Sequence, residues 1–394
     1  MAGLMTRAEP AGTNAALPVV ATRKPREIRP PSLDTLFTVL FAAAGWSLGL
    51  RELGDNSFLW HWRTGRLILE HGIPHADPYS FTVPGSRWIA QSWLAELAYG
   101  IADRLAGGFG VRLLVALVGA AIVASSFRLA LRLTGHRIRA AGLTFGALAT
   151  VLTIWSERPL VFGLAGVLAL VWAIEVPESR LGRHPLIAIP AIMWFWGNVH
   201  GSFSLGYVYL GLHLLGCFLD GSPPNAGRER KVLVGSVISV GTLLVNPYGF
   251  GLLWFPVDLM RRGSVLAGVS EWQSPSFREL GGVLFAAWLT VAVLALVRKQ
   301  PSRRDLVITL VFAFLGLWAV RNVGVTALVT LPFAARAFAG GRIRGADRQR
   351  LGWAFSAAFA AFFVLQTTSA AAGHDFNLDR YPVKAMVQLQ DRRL

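Results

Sequence analysis

The chain has a single cysteine, Cys217, set inside an apolar run. One cysteine excludes an intrachain disulfide and a cysteine-based metal or redox site. Charge is equally scarce. Asp, Glu, Lys and Arg make up 15% of the residues, against roughly 25% in an ordinary soluble domain. With 54% hydrophobic residues, the chain is too apolar for a soluble fold of 394 residues and reads as a membrane protein. The motifs of soluble catalysis are missing too. There is no Walker-type phosphate loop, no Gly-x-Ser-x-Gly elbow and no His-Glu-x-x-His, which argues against an ATP-driven pump. A net charge of +16 raises the question of nucleic acid, but the basic residues are spread through short gaps between apolar runs. That is the positive-inside pattern, and no nucleic-acid partner is expected.

What the chain does have is apolar segments. They run over 33–50, 109–133, 138–155, 159–176, 185–199, 202–219, 231–247, 279–297, 304–320, 323–340 and 351–371. The expected fold class is therefore all-α, a polytopic transmembrane protein of about 11 spans. Residues 1–32 read as a disordered cytoplasmic tail with Arg23, Lys24, Arg26 and Arg29 beside the first span. A cleaved signal peptide ending near Ala42-Ala43-Ala44 is the rival, disfavoured by its long n-region. The transmembrane domain is 33–371, with an extracytoplasmic loop at 51–108 and an extracytoplasmic tail at 372–394. With the N-terminus inside, the short loops 134–139, 177–184, 220–230, 298–303 and 341–350 fall on the cytoplasmic side, and each is basic. The short outer loops hold only Arg158 and Arg321. This sets a multi-pass topology in the inner (plasma) membrane, with the C-terminus extracytoplasmic.

Polar, motif-like sequence then collects on the outer face. Residues 57–70 mix Trp62 and leucines with His61, Arg63 and Arg66, as an interfacial helix does. Residues 92–105, with Glu96 and Asp103, form a second juxtamembrane helix. Asp77 precedes Pro78 and suits a turn as well as a reaction. Asp55, just before the interfacial helix, suits an N-cap as well as a reaction. Asn198 and His200 interrupt an apolar region, where polar groups pair or line a cavity. Arg321 lies between two apolar runs with almost no loop, a place for pairing or for holding an anion. Segment 250–278 returns to its own side as an interfacial or re-entrant stretch carrying Glu271-Trp272.

Acids, arginines and histidines facing an apolar groove suit transfer of a sugar from a polyprenyl-phosphate carrier. A carboxylate would take the acceptor proton, and arginines would hold the departing phosphate. The layout resembles the GT-C superfamily of integral membrane glycosyltransferases. The strings Asp55 to Gly65, Pro74 to Thr82, Asn198 to Gly201, Asn246 to Gly249 and Glu271-Trp272 resemble those of a group of largely uncharacterised bacterial polytopic membrane proteins. The resemblance implies Asp55 or Asp77 as the catalytic carboxylate, with Glu96 third. His61, Arg63, Arg158, Asn198, His200, Glu271 and Arg321 are then the donor-phosphate or substrate-binding set. It also implies a polyprenyl-phosphate-linked sugar and a glycan, lipid or protein acceptor as partners, beside membrane lipids. Unlike many GT-C enzymes, the chain has no adjacent pair of acids after its first span. Loop acids fit a carboxylate-held Mg²⁺ as well as a general base. A transporter or flippase for a lipid-linked or polar solute, or a non-catalytic envelope-assembly scaffold, are the alternatives.

Overall fold

The computed structural model describes residues 30–340, 349–379 and 381–383, with Gly3 and Gln388 besides. The basic stretch 23–29, most of the loop 341–350 and the end of the tail lie outside the described residues. Every apolar segment predicted from the sequence is a helix. In chain order these are α1 (Leu33–Gly49), α2 (Phe58–His71), α3 (Trp93–Thr134), α4 (Arg137–Leu152), α5 (Leu160–Glu175), α6 (Arg180–Arg183), α7 (Pro185–Val199) and α8 (Ser204–Leu219). They continue with α9 (Gly227–Leu243), α10 (Phe250–Arg261), α11 (Gly263–Leu266), α12 (Leu280–Arg298), α13 (Arg303–Trp318), α14 (Val323–Ala337) and α15 (Gln349–Ala372). No strand occurs among the described residues. Isolated bridges join Leu53 to Phe376 and Ala76 to Arg87.

Four of the described helical stretches are long and apolar enough to cross a membrane: Trp93–Thr134, Gly201–Leu219, Leu280–Arg298 and Gly352–Ala372. Others are apolar but shorter, such as α5 and α7. The core is built on α14, buried along nearly its whole length, and on α5 and the second half of α3. These are helices apolar all round, as central members of a bundle must be.

Starts are set by local chemistry. The hydroxyls of Ser32 and Ser302 accept from the backbone amides of Thr35 and Asp305, satisfying donors that a first turn leaves free. The expected juxtamembrane helix at 92–105 is present as the first part of α3, and a break in helical geometry divides it from the span that follows. They meet at a kink where Ala106 leaves helical geometry and Gly107 takes φ 62°, a conformation glycine adopts without Cβ penalty.

The ends of the helices differ in character. The C-terminus of α5, the N-terminus of α13 and the C-terminus of α14 meet in a buried ionic network. Arg304 and Arg336 both reach Glu175 Oε2, at 2.8 and 2.6 Å, and both reach Asp305, at 2.8 Å each. Tyr209 donates to the other oxygen of Glu175 at 2.6 Å. The opposite ends of these helices open on a cavity.

Candidate functional site

Three segments distant in sequence are drawn together at the cavity end. Glu157 Oε1 accepts the amides of Gly54 and Asp55, each at 2.6 Å, and so fixes the segment after α1 against the α4–α5 loop. Asp55 then lies beside Arg158, Oδ2 to Nε 3.1 Å. The other end of the guanidinium, Nη1, pairs with Glu271 at 2.5 Å. Arg158 is thus held between two carboxylates in a forked arrangement that a lysine cannot reproduce. Beyond Glu271, the guanidinium of Arg321 lies 4.3 Å from the Trp272 ring centre, a cation–π contact. The amide of Val320 bonds the carbonyl of Gln273 at 2.9 Å, tying these two loops together.

A second group comes from α2 and α3. Gly65 and Gly100 face each other so closely that a Cβ on either would collide with the opposing backbone. His61 is one turn before Gly65 and Glu96 one turn before Gly100, so each lies on the same helix face as its glycine. The close approach brings His61 Nδ1 to 2.7 Å from Glu96 Oε1. Arg66 and Asp103, paired at 2.6 Å, hold the same two helices further along. Glu96 is fully buried, and its Oε2 makes no hydrogen bond among the described residues. Trp60 packs over His61 with ring centres 3.5 Å apart.

Members of both groups border one cavity of about 1220 Å³. Its polar wall includes His61, Arg158, His200, Glu271 and Arg321. Indoles of Trp60, Trp88, Trp254, Trp272 and Trp318 also line it. An apolar side runs along Leu259, Met260 and Leu315. Burial, then the nearby His200 and Arg158, hold the His61 imidazole well below its usual range. His200 is part-exposed and lines the cavity. Burial first, then Arg321 and Arg158, pushes it down to about 3. Its Nδ1 accepts from the amide of Ser202 at 3.2 Å, which puts the ring proton on Nε2.

The remaining expected residues have other places. Asp77 is in a surface turn and does not border the cavity. Its Oδ1 accepts the amides of Tyr79 at 2.8 Å and Ser80 at 3.1 Å. The Ser80 hydroxyl, then these amides, lower its pKa. Asp55 does not line the cavity; its Oδ1 accepts the amide of Ser57 at 2.8 Å, and it borders a small separate pocket with Glu52, Trp155 and Glu157. Arg63 is exposed and off the cavity. Asn198 is buried, accepting from the Trp93 indole at 2.7 Å and donating to the Trp194 carbonyl at 2.7 Å. The Asn-Pro-Tyr-Gly string is architectural: the Tyr248 hydroxyl donates to the Pro74 carbonyl and accepts the Ala90 amide, pinning the first loop.

Glu96 ranks third among the acids in the sequence, and the structure makes it the partner of a cavity histidine. The spacing of four residues to Gly65 and to Gly100 is the signal that could have paired them. Mg²⁺ does not fit these acids. Asp55 and Glu271 are each engaged by Arg158, and Glu157 by two backbone amides, so a dication would have to displace a resident cation. The chain matches no protein-family model and no curated protein.

Proposed function

We propose that this chain is an inner-membrane glycosyltransferase that moves a sugar from a polyprenyl-phosphate carrier to an acceptor hydroxyl on the extracytoplasmic side. In this reading the eleven apolar helices cross the bilayer. The basic loops and the Glu175 network face the cytoplasm, and α2 with the first part of α3 lies at the outer interface in a GT-C-like arrangement. The observation that carries the proposal is the cavity itself. It sets two arginines and a carboxylate-held imidazole under a wall of indoles, with an apolar side along α10 and α13.

Each part has a task. The indoles stack on sugar faces and the apolar side takes the first prenyl units. His61, its Nδ1 held by Glu96, accepts the proton of the acceptor hydroxyl on Nε2, as the carboxylate-oriented imidazole of a catalytic triad does. The acceptor oxygen bonds to the anomeric carbon as the bond from that carbon to the phosphate oxygen breaks. The electron pair leaves with polyprenyl phosphate, whose growing charge falls to Arg158 and Arg321. Asp55 and Glu271 orient Arg158. The acceptor is a glycan, lipid or protein hydroxyl.

The test is transfer by the purified protein in nanodiscs, given the lipid-linked sugars extracted from a strain lacking it. Release of polyprenyl phosphate that depends on a cell-envelope acceptor fraction supports the reading. Movement of lipid-linked sugar across a vesicle bilayer with no bond broken would make the chain a flippase instead.

A further inference from the structure

The lone cysteine is not alone in space. His213 and Cys217 are four residues apart on α8 and share a face of that helix. Glu229, in the first turn of α9, completes a group whose ligand atoms all lie within 4.8 Å of one another. His213 Nε2 is 2.7 Å from Glu229 Oε2, and Cys217 Sγ is 3.8 Å from the same nitrogen. His213 is 1% exposed. We infer that these three side chains form a binding site for a divalent transition metal of the zinc class, stapling α8 to α9.

Geometry supports it. With zinc about 2.3 Å from sulfur and about 2.0–2.2 Å from nitrogen and oxygen, the edges of a tetrahedron come to roughly 3.3–3.6 Å. Cys217 Sγ lies beside the imidazole, 3.8 Å from Nε2 and 4.0 Å from Nδ1, so its side chain has to rotate toward the Nε2 side to meet a metal held there. The nitrogen–oxygen separation has to open by roughly 0.6 Å, a small side-chain rotation on the same scale. Charge supports it as well. A thiolate and a carboxylate neutralise a dication, so the filled site is neutral in a place where net charge is costly. Arg228 does not occupy the site: its Nη2 is held by the carbonyls of Ala173 and Ile174, and it stands 3.8 Å from the other carboxylate oxygen. Binding releases the thiol proton of Cys217 to solvent. Three protein ligands leave a fourth position for water. His213 is nine residues along α8 from Ser204 at the cavity, or roughly 13 Å at helical rise, so this site is independent of the proposed transfer chemistry. The sequence argument that one cysteine leaves no cysteine-based metal site fails because histidine and glutamate supply the other donors.

The experiment uses full-length protein in detergent with any affinity tag removed and resident metal stripped by chelator. Co²⁺ is the probe. We expect one equivalent to bind with a thiolate-to-metal charge-transfer band, and Zn²⁺ to displace it. Cys217→Ser loses the band and binds about tenfold or more weaker. Glu229→Gln keeps the band and weakens binding. Cys217→Ser is near-isosteric, and an unchanged unfolding midpoint in chelator establishes that it folds. Folded wild type that gives no thiolate band, or a Cys217→Ser protein that binds Co²⁺ as wild type does, overturns the site and leaves a hydrogen-bonded His213–Glu229 pair.

Discussion

Glu96→Gln is the substitution that separates a positioned base from a buried structural pair. The amide fills the same volume on α3 and can still accept from His61 Nδ1 through its oxygen, so the 2.7 Å contact survives. Burial raises the pKa of the Glu96 carboxyl, so what the amide loses is the ability to ionise and balance an imidazolium as the acceptor proton moves. A positioned general base contributes 10²–10⁴-fold, about 3–5 kcal/mol of barrier at 1.36 kcal/mol per tenfold. Glu96→Gln is expected to lose much of that in kcat, with the KM for the lipid-linked sugar little changed. His61→Ala is expected to lose about the same, and the double variant no more than either, because the two residues act as one unit. The assay is release of polyprenyl phosphate from the lipid-linked sugars accumulated by a deletion strain. Full activity in Glu96→Gln, or losses that multiply in the double variant, would refute the reasoning.

Other expectations follow from the same geometry. Asp77→Asn keeps the turn that its Oδ1 closes and changes transfer by less than about threefold, whereas Arg321→Ala removes a phosphate cation and costs about 10²-fold or more in kcat; equal losses in the two would contradict the placement of both. Glu175→Ala leaves Arg304 and Arg336 sharing the single carboxylate of Asp305 and takes the acceptor from Tyr209, which costs about 3–5 kcal/mol and is read as a lowered thermal midpoint. His200 has a folded-state pKa below 6.5, whereas in the buried His61–Glu96 pair the lowered imidazole and the raised carboxyl act in opposite directions, so it is His200 that makes the unfolded chain bind more protons than the folded one as pH falls. Its stabilisation is complete above pH 6.5 and lost on acidification, by up to about 1.4 kcal/mol per pH unit. The unfolding midpoint should therefore drop from pH 7 to pH 5, and drop less in His200→Gln.

The helices were legible because apolar runs, serine caps and turn residues are local signals. Leu33–Gly49 opens on the Ser32 cap, and Asn246-Pro247 ends a helical run where its residue types require. Asp77 before Pro78 was legible as a turn for the same reason. The site was less so, because its pairings are long-range. Nothing near Asp55 in sequence indicates that Glu157 will hold its amide and Arg158 its carboxylate. Glu96 was a third-ranked acid on a juxtamembrane helix until Gly65 and Gly100 closed the distance to His61. Glu175 ends an apolar run and gains meaning only when Arg304 and Arg336 arrive from helices more than a hundred residues away. Residue types at the cavity were readable; which of them face it depended on packing between helices.

The central claim, that this chain transfers sugar, is tested most directly by mass spectrometry of polyprenyl-phosphate sugars and envelope glycans. The comparison is a deletion strain complemented with wild type, His61→Ala, Arg321→Ala or Asp77→Asn. The account predicts a missing sugar substituent and accumulated lipid donor in the deletion, rescue by wild type and Asp77→Asn, and none by His61→Ala or Arg321→Ala. An unchanged glycan and lipid profile in the deletion, or rescue by all three variants alike, would contradict it.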